Sequence, residues 1–184
     1  MKVKPAKPQK TIRVGRTIAP TRKDTRLSQS DYVQYLSQKL GIHKIRIKNI
    51  LDSYHAVAMR DIQEYHQVYV YKDILATNKN ANPDNSGVLS RTFAAQCGEA
   101  ATNAGVLGPE VNRVVSAYVD TIIKQASSET GACVFKTFNL RKHGGQYSIS
   151  KTPHIDLPNK GNGVVFSAKT LNSRARHTVT QGKR

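Results

Sequence analysis

Two stretches of the chain carry the same succession of apolar positions, glycine and aromatic residues, 64 residues apart. In each stretch a short helical pattern ends at a glycine, and a longer pattern with apolar residues three or four positions apart follows. Alignment without a gap pairs Gly41 with Gly105, Ile47 with Val111, Ile50 with Val114, Leu51 with Val115, Tyr54 with Tyr118, Val70 with Val134 and Tyr71 with Phe135. This predicts an internal duplication, although two generic helical hairpins could also align in this way.

Helix signals are present in both repeats. In the first, Ser28 or Ser30 caps a helix that ends at Gly41, and a longer helix covers residues 44–65. In the second, the stretch SRTFAAQCGEAATNAG predicts a short helix, and Pro109 suits the first turn of a long one. The apolar stripes of the two long helices include Tyr54 and Tyr118, which we therefore predict to be core residues.

The segments after the long helices indicate strands, and here the repeats differ. The first repeat has one strand, residues 68–71, followed by a loop over residues 76–87 that leaves too few residues for a hairpin. The second continues through an RKHGG turn and a long loop containing proline and glycine, with strands at residues 133–140, 146–150 and 164–168. We predict an α+β fold whose first unit is a helical hairpin plus a strand, and whose second unit has a three-stranded β-meander and arm.

The charge of the chain is concentrated at its ends. Of the formal net charge of +17, residues 1–26 contribute +8, residues 136–184 contribute +9, and residues 27–135 sum to zero. Cationic extensions on a neutral body favour contact with an anionic polymer through counterion release, although solubility alone would also explain them. We predict a basic extended arm at residues 1–26 and a truncated first unit at residues 27–88. A second unit with a β-arm follows at residues 89–177, and a basic tail at residues 178–184.

The sequence contains no recognisable catalytic constellation. Its histidines are scattered, and Cys97 and Cys133 lie far apart without the spacing of a zinc site or a disulfide. Asp52 and Asp61 fall on one predicted helix but have no further ligands beside them. No apolar run reaches transmembrane length, and no signal peptide precedes the charged N-terminus. We therefore expect a non-enzymatic protein of a reducing compartment, without cofactor, metal or membrane.

The order of short helix, turn, long helix, three strands with a protruding arm and short last helix resembles the HU/IHF family of DNA-bending proteins. Residues 28–71 and 90–177 resemble two copies, the first truncated. The resemblance implies a pseudo-dimer base of intertwined helices and one β-arm, where a proline at the tip of such an arm wedges between base steps in the minor groove. Of the family's Gly-Phe-Gly-Thr-Phe stretch only Lys136-Thr137-Phe138 is present. Its Arg-Asn-Pro arm tip is absent, and the nearest match is Leu157-Pro158-Asn159-Lys160-Gly161.

A degenerate sequence of this kind is also similar to the IHF-like proteins encoded among the neck and tail genes of crAss-like tailed bacteriophages. This similarity implies a virion structural protein, assembled in the host cytoplasm and repeated around a ring near the portal vertex or tail. Its partners would be the portal, adjacent ring or tail subunits and copies of itself. The alternative is an HU/IHF-type architectural protein that binds and bends double-stranded DNA.

Basic residues of the second unit are the candidates for contact with nucleic acid. Several of them alternate along predicted strands, which would place them on one face of the arm. The candidates are Arg141, Lys142, Lys151, Pro158, Lys160, Lys169, Arg174 and Arg176. Contact with phosphate groups and salt bridges between subunits are both compatible with these positions.

Overall fold

A computed structural model describes residues 27–81, 91–128, 131–135, 137–151 and 163–174. Within them the chain is a mixed α+β protein, as its patterns predict, and its strands form two three-stranded antiparallel sheets. The helices are α1 (Gln29–Leu40), α2 (Lys44–Glu64), α3 (Phe93–Ala104), α4 (Gly108–Ala126) and α5 (residues 169–174). The strands are β1 (Gln67–Val70), β2 (Ile74–Asn78), β3 (Ala132–Val134), β4 (Phe138–His143), β5 (Gln146–Lys151) and β6 (Val164–Ser167).

Local capping signals determine the ends of the two short helices. Ser28 caps α1 in a capping box with Asp31, and Thr92 caps α3 by accepting a hydrogen bond from the backbone N–H of Ala95. Both helices end at a glycine in the left-handed region, Gly41 with φ 68° and Gly105 with φ 64°. Only glycine adopts this conformation without steric cost, so both predicted ends are confirmed.

The element bounds repeat along the chain at the offset seen in the sequence. Helix α3 begins and ends 64 positions after α1, and α4 begins 64 positions after α2. Strand β4 begins 64 positions after β2. We call residues 27–78 the first unit and residues 91–143 the second unit, which β5 extends.

The first unit contains a β-hairpin, so the prediction of a single strand followed by a loop is wrong. Strands β1 and β2 pair antiparallel, from Val70 opposite Ile74 to Gln67 opposite Thr77. The turn between them, residues 71–73, contains no glycine or asparagine, so the sequence did not indicate it. It is closed instead by Tyr71 and Lys72 with φ of 48° and 69°, a conformation that non-glycine residues rarely adopt.

The last strand does not belong to the predicted meander. Strands β3, β4 and β5 form one sheet in sequence order, whereas β6 pairs antiparallel with β2 and completes the sheet of the first unit. The hairpin of the first unit would otherwise present β2 as an unpaired edge, and β6 satisfies its backbone groups. The predicted strand over residues 133–140 is observed as parts of two paired strands, β3 ending at Val134 and β4 beginning at Phe138.

The helices of the two units interleave in one core. Helix α1 packs against both α2 and α4, and α3 packs against both as well. The ring of Tyr32 meets that of Tyr118 edge-on, with centroids 5.4 Å apart. Tyr54 is 0% exposed and Tyr118 is 1% exposed, which confirms both as core residues.

Two contacts join equivalent residues of the units and mark an approximate two-fold axis. The guanidinium of Arg46 donates to both carboxylate oxygens of Glu110, 64 positions later, at 2.6 and 2.7 Å. The rings of Tyr71 and Phe135, also 64 positions apart, stack with centroids 6.2 Å apart. Because α1 packs on α4 as α3 packs on α2, these contacts between equivalent residues fit an approximate two-fold arrangement like that of a dimer.

Candidate nucleic-acid interface

The candidate basic residues lie mainly on the hairpin of β4 and β5. The two strands join through Gly144 and Gly145, with φ of 54° and 82°, the positive values that a two-residue hairpin turn requires. The predicted RKHGG turn is therefore confirmed. The register places His143 opposite Gln146 and Phe138 opposite Lys151.

This register divides the basic residues between the two faces of the hairpin. Directly opposite residues share a face, and neighbours along a strand alternate. Lys142 lies opposite Tyr147 and Lys151 opposite Phe138, on the face that carries the buried residues, whereas Arg141 lies opposite Ser148 on the other face. Lys142 and Lys151 therefore share one face of the hairpin, whereas Arg141, adjacent to Lys142 in the strand, lies on the other.

The two faces differ in chemistry. On the inner face the ammonium group of half-buried Lys142 lies 5.1 Å from the centroid of the Tyr147 ring, a cation–π geometry. On the outer face Arg141 is exposed. Its neighbours there are uncharged acceptors and donors and one histidine: Asn139, His143, Gln146, Ser148 and Ser150.

Helix α5 places two further candidates beside this hairpin. Asn172 binds the backbone of Tyr147 in β5: its Oδ1 accepts from the N–H at 2.6 Å, and its Nδ2 donates to the carbonyl at 3.0 Å. We call this pair of bonds the Asn172 clamp. The sequence did not reveal it, because its partner lies 25 positions away and is backbone.

The two cations of α5 differ in their partners. Lys169 is exposed. Arg174 donates to Oδ2 of Asp73 at 2.8 Å, and Asp73 is only 4% exposed. Burial raises the pKa of Asp73, and the nearby guanidinium opposes that rise. A phosphate group would compete with this carboxylate for Arg174.

The described candidates lie in stretches of sequence without acidic residues, and the carboxylate that Arg174 meets, Asp73, comes from the first unit. Arg141, Lys142, Lys151, Lys169 and Arg174 all fall in the described residues between 131 and 174, which contain no aspartate or glutamate. Pro158, Lys160 and Arg176 lie outside the described residues, as do the predicted basic arm and tail.

A buried polar cluster is the feature that the sequence least suggested. Asp61 of α2 is 0% exposed. Its Oδ1 accepts from Arg60 at 3.0 Å and Arg91 at 3.1 Å, and its Oδ2 accepts from the side-chain amide of Gln96 at 3.0 Å. The hydroxyl of Tyr54 donates to Gln96 at 2.9 Å. We call Tyr54, Arg60, Asp61, Arg91, Gln96 and Glu99 the Asp61 network.

The outer rim of this network is an ion cluster on the surface. Glu99 accepts hydrogen bonds from Arg60 at 2.8 Å and from Arg91 at 2.6 Å. These bonds lower the pKa of Glu99 to about 2. All charges are thus compensated, which is the condition for a buried carboxylate to be tolerated.

Two shallow grooves repeat the symmetry of the helices. One lies between α1 and α2 with a volume of about 460 Å³, and the other between α3 and α4 with about 450 Å³. Six residues lining the second groove each lie 64 positions after a residue lining the first. They are Ala94, Cys97, Gly98, Gly108, Pro109 and Asn112. Neither lining holds a carboxylate.

The described part of the chain contains no group of three or more His, Cys, Asp or Glu side chains that could hold a metal ion. Cys97 and Cys133 are free thiols, and burial raises the pKa of Cys97 to about 11. None of the helices in the described residues is long and apolar enough to cross a membrane. No family model, curated protein or solved structure matches this chain.

Proposed function

We propose that this chain is a non-enzymatic structural subunit of a tailed-bacteriophage virion. It would have an HU/IHF-like tandem architecture and take part in a ring at the neck or tail. Its basic segments would face DNA or neighbouring subunits. The observation that carries the proposal is the approximate two-fold arrangement of two helix–helix–hairpin units within one chain.

The HU/IHF-like part of the proposal rests on the interleaved helices. In that family two subunits intertwine their helices into one base, and here α1 and α3 each pack against both long helices. The contacts of Arg46 with Glu110 and of Tyr71 with Phe135 join equivalent residues of the two units, as contacts at the two-fold axis of a dimer do. The hairpin of each unit also belongs to a three-stranded sheet, completed by β6 in the first unit and by β5 in the second.

The structural role is favoured over DNA bending by the placement of the cations. A clamp that grips duplex DNA needs several cations on one surface, because affinity depends on the number of phosphates neutralised together. Arg141 faces away from Lys142 and Lys151, and Arg174 already pairs with Asp73. Cations distributed in this way suit several separate contacts with neighbouring chains.

DNA binding is the second candidate, and it is favoured by the described residues between 131 and 174, which contain no aspartate or glutamate. Arg141, Lys142, Lys151 and Lys169 come from stretches without acidic residues, and their charges contribute a positive potential, whereas the charge of Arg174 is offset by Asp73. A virion ring around a DNA channel would need such a potential as well, so the two candidates differ in which contacts dominate.

A salt titration separates the two candidates. Changing Arg141, Lys142 and Lys151 together to alanine removes three cations of the β4–β5 hairpin. If all three contact phosphates, the slope of log affinity against log salt should flatten by about three units. We expect a change of less than about one unit. We also expect the unsubstituted chain to form oligomers of defined mass at high concentration by light scattering, which the triple variant weakens.

A matched control removes three cations from the helical side of the molecule. Lys39, Lys44 and Lys124 are exposed, and changing them to alanine alters the net charge by the same amount. This variant should oligomerise as the unsubstituted chain does. A chain that stays monomeric at every concentration, with a slope that flattens by about three units only in the hairpin variant, would contradict the structural role and support DNA binding.

A further inference from the structure

The Asp61 network joins the two units at one of two equivalent interfaces. There the long helix α2 of the first unit meets the short helix α3 of the second, through Tyr54, Asp61 and Gln96. The equivalent interface joins the long helix α4 of the second unit to α1 of the first, where Tyr32 meets Tyr118. The approximate two-fold axis exchanges the two interfaces.

The two interfaces use different side chains at equivalent positions. Gln96, Arg91 and Glu99 of the network correspond to Tyr32, Leu27 and Tyr35, each 64 positions earlier. Asp61 corresponds to Gln125, 64 positions later, and Tyr54 to Tyr118. The interface of α2 with α3 is therefore ionic and hydrogen-bonded. The interface of α1 with α4 has the aromatic contact of Tyr32 with Tyr118, and the position equivalent to Asp61 is an uncharged glutamine.

We infer that the Asp61 network determines which units pair. It stabilises the pairing of a first unit with a second unit and destabilises the pairing of two first units from different copies of the chain. The proposal concerns a pairing surface on α2 around Asp61, and its partner is the second unit's short helix. Its consequence is that copies of the chain do not associate by pairing their first units, so each chain closes on itself as one building block.

The cost of a wrong pairing follows from the side chains. Two first units would place Asp61 against Leu27, Tyr32 and Tyr35, which supply none of the donors that Arg91 and Gln96 provide. A fully buried carboxylate would lose two of its three donor residues, and an under-compensated buried charge is strongly destabilising. Two second units would place Gln96 against Gln125 without a carboxylate, a milder mismatch of neutral amides.

Substitutions in the full chain can recreate each mismatch locally. Arg91→Leu with Gln96→Tyr brings the first unit's side chains against Asp61. Asp61→Gln brings the second unit's amide against Gln96. All three changes together place Leu, Tyr and Gln at the positions equivalent to Leu27, Tyr32 and Gln125, and leave no carboxylate at position 61. Strand β6 is unaltered in every variant, so its pairing with β2 contributes equally to all of them.

The measurement is the equilibrium constant for folding, from urea unfolding followed by circular dichroism. We expect a loss of about 100-fold or more for R91L/Q96Y, since a buried carboxylate loses donors. The loss for D61Q should be about tenfold, the effect of removing one charged hydrogen-bond acceptor. The equilibrium constant of the triple variant should lie within about tenfold of that of the unsubstituted chain. Its loss would then be far smaller than the product of the two separate losses.

Matched controls keep the outcome decisive. The hydroxyl of Tyr32 has no hydrogen-bond partner among the described residues, so Tyr32→Phe should combine additively with D61Q. If R91L/Q96Y fails to fold, recovery of a cooperative transition in the triple variant still supports the proposal. A triple variant whose loss equals the product of the separate losses would overturn it, and so would R91L/Q96Y as stable as the unsubstituted chain.

Discussion

At the scale of single residues, the aromatic side chains at the axis support an unusual backbone. Tyr71 and Phe135 are equivalent residues with nearly equal positive φ, 48° and 44°. The backbone N–H of Tyr71 donates to the hydroxyl of Tyr54 at 3.0 Å, and that of Phe135 donates to the hydroxyl of Tyr118. The surrounding rings hold a conformation that would otherwise cost about 1–2 kcal/mol at each residue.

His55 lies in the same aromatic cluster and makes folding sensitive to pH. Its ring stacks on Phe135 with centroids 4.4 Å apart, and its Nδ1 lies 2.7 Å from the Tyr71 hydroxyl. Burial lowers the pKa of His55 to about 4. The unfolded state therefore binds a proton below its ordinary pKa of about 6.5, whereas the folded state does so only near the lowered value.

We expect the contribution of His55 to the free energy of unfolding to be complete above pH 6.5. The free energy of unfolding should fall by about 3 kcal/mol as the pH drops from there towards 4. His55→Phe keeps a ring against Phe135 and cannot bind a proton, so its unfolding free energy should change less over this range. Urea unfolding at a series of pH values measures both curves. His143→Gln, at an exposed position, is the control. Equal slopes for the His55 variant and the unsubstituted chain would contradict this assignment.

At the scale of secondary-structure elements, α5 is a strap that ties the two sheets together. It follows β6 in the sheet of the first unit, and the Asn172 clamp attaches it to β5 in the other sheet. Leu171 is 6% exposed, so the strap also contributes to the core. Strand β5 is at the edge of its sheet, and the clamp occupies backbone groups that another strand could otherwise bind.

Asn172→Ala should detach this strap from β5. Loss of two hydrogen bonds to an edge strand should lower stability by about 1–3 kcal/mol, because the N–H and carbonyl of Tyr147 lose their partners. Hydrogen exchange at the Tyr147 amide should accelerate more than at Leu140, which lies in the interior of β4. Ser173→Ala, at the next and exposed position, should leave both rates unchanged. Unaltered exchange at Tyr147 in the Asn172 variant would show that the clamp does not protect the edge.

At the scale of the whole molecule, the interleaved helices leave neither unit with a core of its own. The buried residues of α1 face α4 as well as α2, and those of α3 face both long helices. Removing one unit would expose apolar surface on the other. The units should therefore unfold together, as a dimer of intertwined subunits does.

Matched core substitutions in the two units test this coupling. Ile50 and Val114 are equivalent residues, both 0% exposed. Changing either to alanine should lower the midpoint of one shared transition. The free energy of unfolding should fall by about 2–5 kcal/mol for Ile50 and somewhat less for the smaller Val114. Far-ultraviolet circular dichroism and the absorbance of the tyrosines should report the same midpoint in each variant. Two separate transitions, or one variant that affects only part of the signal, would show independent units.

The helices were the part of this fold most open to prediction. Ser28, Gly41 and Gly105 act on their own backbone neighbourhood, so helix ends follow from a few adjacent residues. The long helix expected over residues 44–65 is observed as Lys44–Glu64. The hairpin of the first unit was missed because its turn depends on positive φ at Tyr71 and Lys72, which distant aromatic contacts stabilise.

The candidate site was open to prediction only in its composition. The sequence identified the cations, but their faces depend on the register of β4 against β5, where a shift of one residue reverses every side chain. The Asp61 network was not recognised, because its members are spread over residues 54–99 and their partnership exists only once α2 and α3 are packed.

The amino-acid order alone determined the helices, their caps, the 64-residue repeat and the accumulation of positive charge at the two ends. These are properties of neighbouring residues or of composition. Only the tertiary structure decided that β6 joins the sheet of the first unit, that Arg174 pairs with Asp73, and that Asp61 is buried with its donors. Each of these depends on pairing between distant segments, and many pairings are compatible with the same local pattern until the chain packs into one core.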